Sequence, residues 1–306
     1  MAMQPKPVTS VSSTSTPALA TPVSAKMQMQ VAKANMRAVG SKSLVIYGES
    51  FVGKTECVRW LSEAGLNVHY VDFEHNVTSI LSVSDADNFH YYSVNEGNGL
   101  GIVEFFRKLM NTGEASVCHE HGLVECQSCK SNGLPFSMLK PELLRRGDIV
   151  VWDSASAIVR SINNASVVRN KRDTLQIITD ERAATSDNMQ YFRSISTTGV
   201  PIWHYMNKLP SNCGSLIITH DHDVANIMEG KSAKHFYHPV AVSGTYSISS
   251  QSKTPCTAVW ALKRESNPAS RIPIMETNVT HYAKMAGASD YKGLLTKDAV
   301  VKFFTE

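Results

Sequence analysis

The chain has 306 residues, 42% of them hydrophobic, and a formal net charge of +3. That length suits one large α/β domain with additions, or two small ones, and the apolar fraction is enough for a full core. The weak positive balance excludes bulk charge as a reason to bind nucleic acid, no apolar run reaches the roughly 18 residues of a membrane span, and the N-terminus lacks the apolar centre of a secretory signal. A cytoplasmic location is expected, and the sequons at Asn76, Asn164 and Asn278 are then chance matches.

Residues 1 to about 24 are Ser, Thr, Pro, Ala and Val with almost no charge. Such a segment buries too little to offset its ordering entropy. "AKMQMQVAKANMRAVG" (Ala25–Gly40) is helix-compatible, so residues 1–40 read as a disordered or partly helical tail before a domain at 41–306. From Ser43 onward, short β-rich apolar runs recur: "LVIY" at 44–47, "VHYV" at 68–71, "DIVVW" at 148–152, "SLIIT" at 215–219 and "TAVWAL" at 257–262. Polar or helix-compatible segments separate the first four, which predicts an α/β fold with a mainly parallel sheet. "TECVRWLSEAG" (Thr55–Gly65) and "SDNMQYFRSISTTG" (Ser186–Gly199) predict crossover helices closed by glycine, and "AVSGTYSISSQ" predicts antiparallel edge strands.

The first run leads into Gly48-Glu49-Ser50-Phe51-Val52-Gly53-Lys54-Thr55, a complete Walker A pattern between a strand and a helix. Its glycines let backbone N–H groups turn around phosphate oxygens, and the following helix adds its positive dipole end. Lys54 is then expected to reach the β and γ phosphates of ATP, and the Thr55 hydroxyl to bind Mg²⁺. A second carboxylate for the metal is expected at another strand end, and Asp153 in "GDIVVWDSASAI" supplies it.

"ASVCHEHGLVECQSCKSNG" has the spacing C-x2-H-x4-C-x2-C. Cys118, His121, Cys126 and Cys129 are four soft donors suited to one tetrahedral Zn²⁺, with His119 as an alternative to His121. Four protein donors leave no open position, so a structural zinc in an insertion at 112–140 is expected. Cys57, Cys213 and Cys256 read as packing residues.

A family resemblance rests on three further segments. "VHYVDFEHN" (Val68–Asn76), "VVWDSASAI" and "SLIITHDHD" resemble core strands of RecA-type recombinases. The resemblance implies a RecA-like P-loop NTPase core in which Glu74 activates the attacking water, Asp72 supports it and His220 senses the γ-phosphate. RecA has glutamine at that last position. Thr-His-Asp there, with "MEGKSAKHFYHP" (Met228–Pro239) and "HYAKM" (His281–Met285), is similar to phage-encoded RecA-like ATPases of single-strand annealing and recombination. The resemblance spans about residues 43 to 285.

It also implies DNA contacts after the second-carboxylate strand and after the sensor strand. The cations there are Arg160, Arg169, Lys171 and Arg172, then Lys231 and Lys234 with the aromatics Phe236 and Tyr237. Cations for phosphates and aromatic faces for bases are what single-strand binding requires. A homo-oligomer, ring or filament, is implied, with Lys263, Arg264 and Arg271 as candidates for the basic residue acting across subunits. The reading is a Mg²⁺-dependent P-loop ATPase acting on single-stranded DNA in the host cytoplasm of a phage, with a single-strand-binding protein as a candidate partner. A replicative helicase-type motor, which shares the core, and a nucleotide-gated adaptor or regulatory protein with little turnover are the alternatives.

Overall fold

The first apolar run forms β1 (Ser43–Gly48), buried along its whole length, as expected of a strand covered on both faces. The computed structural model describes residues 42–75, 77–96, 100–169, 186–226, 234–239, 256–264, 271–274 and 295–306. In chain order the further strands are β2 (Asn67–Asp72), β3 (Phe89–Ser93), β4 (Ala115–Cys118), β5 (Phe136–Leu139), β6 (Asp148–Asp153), β7 (Gly214–Asn226), β8 (Lys234–Pro239), β9 (Ala258–Arg264) and β10 (Arg271–Ile274). The helices are α1 (Glu56–Glu63), α2 (Gly101–Thr112), α3 (Gln127–Ser131), α4 (Ala155–Arg169), α5 (Ser186–Asn207) and α6 (Lys297–Thr305).

The main sheet has the order β10-β9-β1-β7-β6-β2-β3, and β8 pairs with the outer half of β7. Neighbours from β9 to β3 are parallel. β10 and β8 are antiparallel additions. This is the mainly parallel α/β architecture expected from the sequence. β4 and β5 form a separate antiparallel hairpin.

Side chains alternate across a strand, so each central strand feeds two cores. Val45 and Tyr47 of β1 join Phe105 and Phe106 of α2, Ile158 of α4 and Trp203 of α5 on one face. Leu44 and Ile46 join Val58 and Leu61 of α1 and Val300 of α6 on the other. The result is three layers, helices on both faces of one sheet.

Several elements differ from the sequence expectation, two of them where a local signal misleads. The helix starting at Ser186 does not close at Gly199 but continues through Pro201 to Asn207. An interior proline costs about 3 kcal/mol. Ile202, Trp203 and Met206 are buried just beyond it, and each burial contributes about 1.5–3 kcal/mol, which outweighs the proline. β3, absent from the sequence reading, is an edge strand whose "FHYYS" mixes buried and exposed positions, so it offers no continuous apolar run. Residues 1–40 and "AVSGTYSISSQ" lie outside the described residues. Among the described residues no helix is long and apolar enough to cross a membrane.

Candidate functional site

Parallel register brings the chemistry-bearing residues to one edge of the sheet. Gly48 pairs with His220 across β1 and β7, and Asp72 pairs with Asp153 across β2 and β6. β7 lies between β1 and β6, so it joins the strand that ends at Gly48 to the strand that ends at Asp153. Gly48, Asp72 and Asp153 end their strands, and His220 ends the stretch of β7 that pairs with β1, so all four lie at the carboxyl edge of the parallel sheet, where open α/β sheets bind ligands.

Gly48 ends β1 against the backbone of β9. A Cβ there would lie 2.4 Å from the Leu262 carbonyl oxygen, so only glycine allows the loop to leave the strand at this point. Glu49, Ser50 and Phe51 are exposed, whereas Val52 is buried beneath the loop. Gly53 has φ 87° and leads into Lys54. Lys54 is 7% exposed, and its Nζ donates to the carbonyls of Gly48 at 2.8 Å and Glu49 at 2.7 Å. Burial lowers its pKa, while Asp153, Asp221, Glu74 and Glu49 pull it back up. The ammonium is thus held inside the loop by two carbonyls that phosphate oxygens can replace.

Thr55 Oγ1 donates to Asp153 Oδ2 at 3.0 Å, which joins the two expected Mg²⁺ ligands across 98 positions of sequence. The same Oδ2 accepts from the Tyr70 hydroxyl at 2.8 Å. Burial pushes the Asp153 carboxyl up to about 6; Tyr70 and Thr55 oppose the rise, and Glu74 and Asp72 add to it. A buried carboxylate beside a hydroxyl is a donor set that fits a hard divalent cation. Such a cation would be held there by Thr55 and Asp153.

Asp72 organises the segment that follows it. Its Oδ1 accepts from the backbone N–H groups of Glu74 at 2.9 Å and His75 at 2.7 Å, a turn closed by its own side chain. Its Oδ2 accepts from the Tyr91 hydroxyl at 2.9 Å. Glu74 accepts a hydrogen bond from Ser154 Oγ and lies 3.5 Å from His220 Nε2. The His220 contact, and secondarily Ser154, lowers the Glu74 pKa against the effect of burial, so this carboxylate is ionised at neutral pH. His220 is fixed through its backbone N–H, which donates to Ser156 Oγ at 3.0 Å.

The sequence reading missed Tyr70, Tyr91, Ser154 and Ser156. Tyr70 lies two residues before Asp72, which puts both on one face of β2, and that period was the available signal. Ser154, which in the sequence stands only as the residue after Asp153, contacts Glu74 and also caps α4 through the Ala157 N–H at 3.4 Å.

Cys118, His121, Cys126 and Cys129 bring one ligand atom each to within 4.8 Å of one another. A tetrahedral Zn²⁺ with Zn–S near 2.3 Å has edges of about 3.8 Å, so the cluster fits the ion closely. His121 Nδ1 lies 3.1 Å from Cys129 Sγ and 3.7 Å from Cys126 Sγ. His119 turns away and pairs with Ser137 Oγ at 2.7 Å, leaving His121 as the histidine of the cluster. The hairpin carrying it is not held by the cluster alone, because Ala115, Val117 and Leu139 are buried in the main core. Cys57, Cys213 and Cys256 are buried apart from it.

Of the residues expected at DNA, Arg169 ends α4, and Lys234, Phe236 and Tyr237 lie on β8. Lys171, Arg172 and Lys231 lie outside the described residues. Arg160 is largely exposed, 3.8 Å from Glu96. Lys263 is exposed on β9, next to the Leu262 carbonyl that packs against Gly48.

The fold and site define an α/β protein with a glycine-bounded loop at residues 48–55, on the carboxyl edge of a mainly parallel sheet, and with a Cys3His cluster between β4 and β5. No family model matches the sequence. No curated protein matches it. Among solved structures, the chain is similar to one described as the crystal structure of the RadB recombinase, at 13% identity, over 76% of this chain and 79% of that one, with a TM-score of 0.34.

Proposed function

We propose that this chain is a Mg²⁺-dependent, RecA-like ATPase that binds single-stranded DNA in recombination, annealing or replication of the phage type. The observation that carries the reading is the convergence of Lys54, Thr55, Asp153, Glu74 and His220 at one sheet edge, joined by the contacts Thr55–Asp153 and Glu74–His220. ATP phosphates would be cradled by residues 48–55, with Lys54 exchanging its two carbonyl partners for phosphate oxygens. Thr55 and Asp153 would hold a Mg²⁺, which would supply neutralising charge for the phosphates. Glu74, ionised, orients the attacking water and accepts its proton.

His220 touches Glu74 and begins the outer half of β7, which pairs with β8 from Asp221 to Asn226. A change at the γ-phosphate is therefore transmitted along one strand toward the segment that carries Lys231 and Lys234. That continuity, and the cations Lys231 and Lys234 with the aromatics Phe236 and Tyr237 in that stretch of sequence, support single-stranded DNA as the ligand. The Cys3His cluster is a structural Zn²⁺ site, and protein prepared without chelator is expected to carry about one zinc per chain. Metal analysis finding none would remove it.

ATP hydrolysis measured with Mg²⁺, with and without single-stranded DNA, tests the function. Stimulation by DNA is expected. Turnover that ignores DNA, or none at all, contradicts the reading and favours a nucleotide-gated adaptor; duplex unwinding would favour a helicase-type motor.

A further inference from the structure

The turn between Cys118 and Cys126 is docked, backbone to backbone, on the end of β3. Asn95 N–H donates to the Gly122 carbonyl at 2.8 Å. Gly122 has φ 64°, and a Cβ on it would lie 3.0 Å from both Asn95 N and the Ser93 carbonyl oxygen. The turn itself is tied to the first ligand: Gly122 N–H donates to the Cys118 carbonyl at 3.0 Å, and Leu123 N–H approaches Cys118 Sγ at 3.4 Å.

The end of β3 is in turn tied to the Glu74 segment. Val94 N–H donates to the Asp72 carbonyl at 2.9 Å, and Ser93 Oγ pairs with His75 Nδ1 at 3.0 Å. His75 is held at φ 58°, a left-handed conformation that a non-glycine residue keeps only when its neighbours enforce it. Asp72 Oδ1 then fixes the Glu74 and His75 amides. The path from Cys118 to Glu74 is thus a run of hydrogen bonds through Gly122, Asn95 with its neighbour Val94, and Asp72, with a second tie from Ser93 to His75.

We propose that the Cys3His module is a brace for the hydrolytic segment: metal loading orders the Gly122 turn, that turn fixes the end of β3, and the end of β3 holds Glu74 where it works. This rests on the zinc and hydrolysis readings above and adds a link between them. Ordering the turn removes conformations in which Asn95 loses its partner, so loss of metal frees the segment without touching Lys54 or Thr55. Nucleotide affinity is then unchanged while turnover falls. The module's apolar anchors, Val117 and Leu139, keep the hairpin on the core in either state.

Hydrogen exchange by mass spectrometry on the full chain tests this, because it reads the amides of Glu74, His75, Val94 and Asn95 whether or not the protein hydrolyses ATP. Two variants are compared with the parent: Cys126→Ser, which loses the metal, and Gly122→Ala, which keeps all four ligands but forces a Cβ into the contact. Both are expected to speed exchange in peptides covering 72–75 and 93–96 by roughly tenfold, the scale of one lost backbone hydrogen bond, with β1 and β7 unchanged. ATP turnover is expected to fall by a similar factor, with ATP affinity within about twofold. Unchanged exchange at these peptides in Gly122→Ala overturns the brace, and that variant decides alone if Cys126→Ser also loses protection in β1. Faster exchange in a protein whose parent form shows no ATP turnover supports the brace and overturns the hydrolysis reading instead.

Discussion

Asp153 must be ionised to hold a cation, yet it occupies a place that resists ionisation. Its carboxyl is pushed up to about 6 by burial, chiefly opposed by the Tyr70 hydrogen bond. For an acid raised in this way, the folded state favours the protonated form. The stability this contributes is present at low pH and lost as pH rises through about 6, so the ionised form is held at a cost that a bound cation relieves. It follows that kcat/KM for MgATP falls as pH drops through about 6. Tyr70→Phe removes the donor and should move that midpoint upward by about one unit, roughly 1.4 kcal/mol, with little change in fold. A pH–rate series on the two proteins checks this, and coincident midpoints would show that Tyr70 does not govern Asp153. The sequence made Asp153 legible because an apolar run ending in Asp is a local pattern. Tyr70 was not legible as its partner, because the hydrogen bond spans 83 positions and depends on the register of β2 against β6.

The strands illustrate what local pattern carries. β1, β2, β6 and β7 were legible because strands covered on both faces must be apolar throughout. β3 was not, since an edge strand needs only one buried face, and the full length of α5 was hidden by Gly199 and Pro201, whose local signal is overridden by core burial. The opposite edge of the sheet holds a network that no motif announced. His69 Nδ1 pairs with the Tyr92 hydroxyl at 3.1 Å, and Asn67 bridges His69, His90 and Asp148. Burial, with the stacked His90, lowers the His69 pKa to about 4, and Asp148 opposes the shift. A histidine depressed in this way is neutral in the fold and charged in the unfolded chain below about 6.5. The fold therefore loses stability as pH falls from about 6.5 to about 4, by roughly 3 kcal/mol when complete. In urea unfolding, the stability of the parent relative to His69→Gln, a difference in which the opposite contribution of Asp153 cancels, should fall as pH drops across that range; parallel curves for the two proteins would count against the assignment.

At the scale of the molecule, the sheet brings distant segments to one edge, and the Cys3His module joins that edge from the side. Walker spacing, Asp72-Phe73-Glu74-His75 and the C-x2-H-x4-C-x2-C spacing were each legible alone, because each is a short-range chemical pattern. Their mutual distances were not, since they follow from strand order and from a turn at Gly122 that fits only a backbone against a backbone. The central claim is that this edge hydrolyses ATP with Glu74 as the base and Lys54 as part of the grip. The most direct measurement is ATP binding and single-turnover hydrolysis by Glu74→Gln beside the parent protein, with Mg²⁺ and single-stranded DNA present. Glutamine keeps the size and polarity of the side chain but cannot take the proton. The proposed role of Glu74 requires that ATP affinity stay within about twofold while the hydrolysis rate drops by roughly 10²-fold or more, about 3 kcal/mol of barrier. Hydrolysis at the parent rate by Glu74→Gln would contradict it.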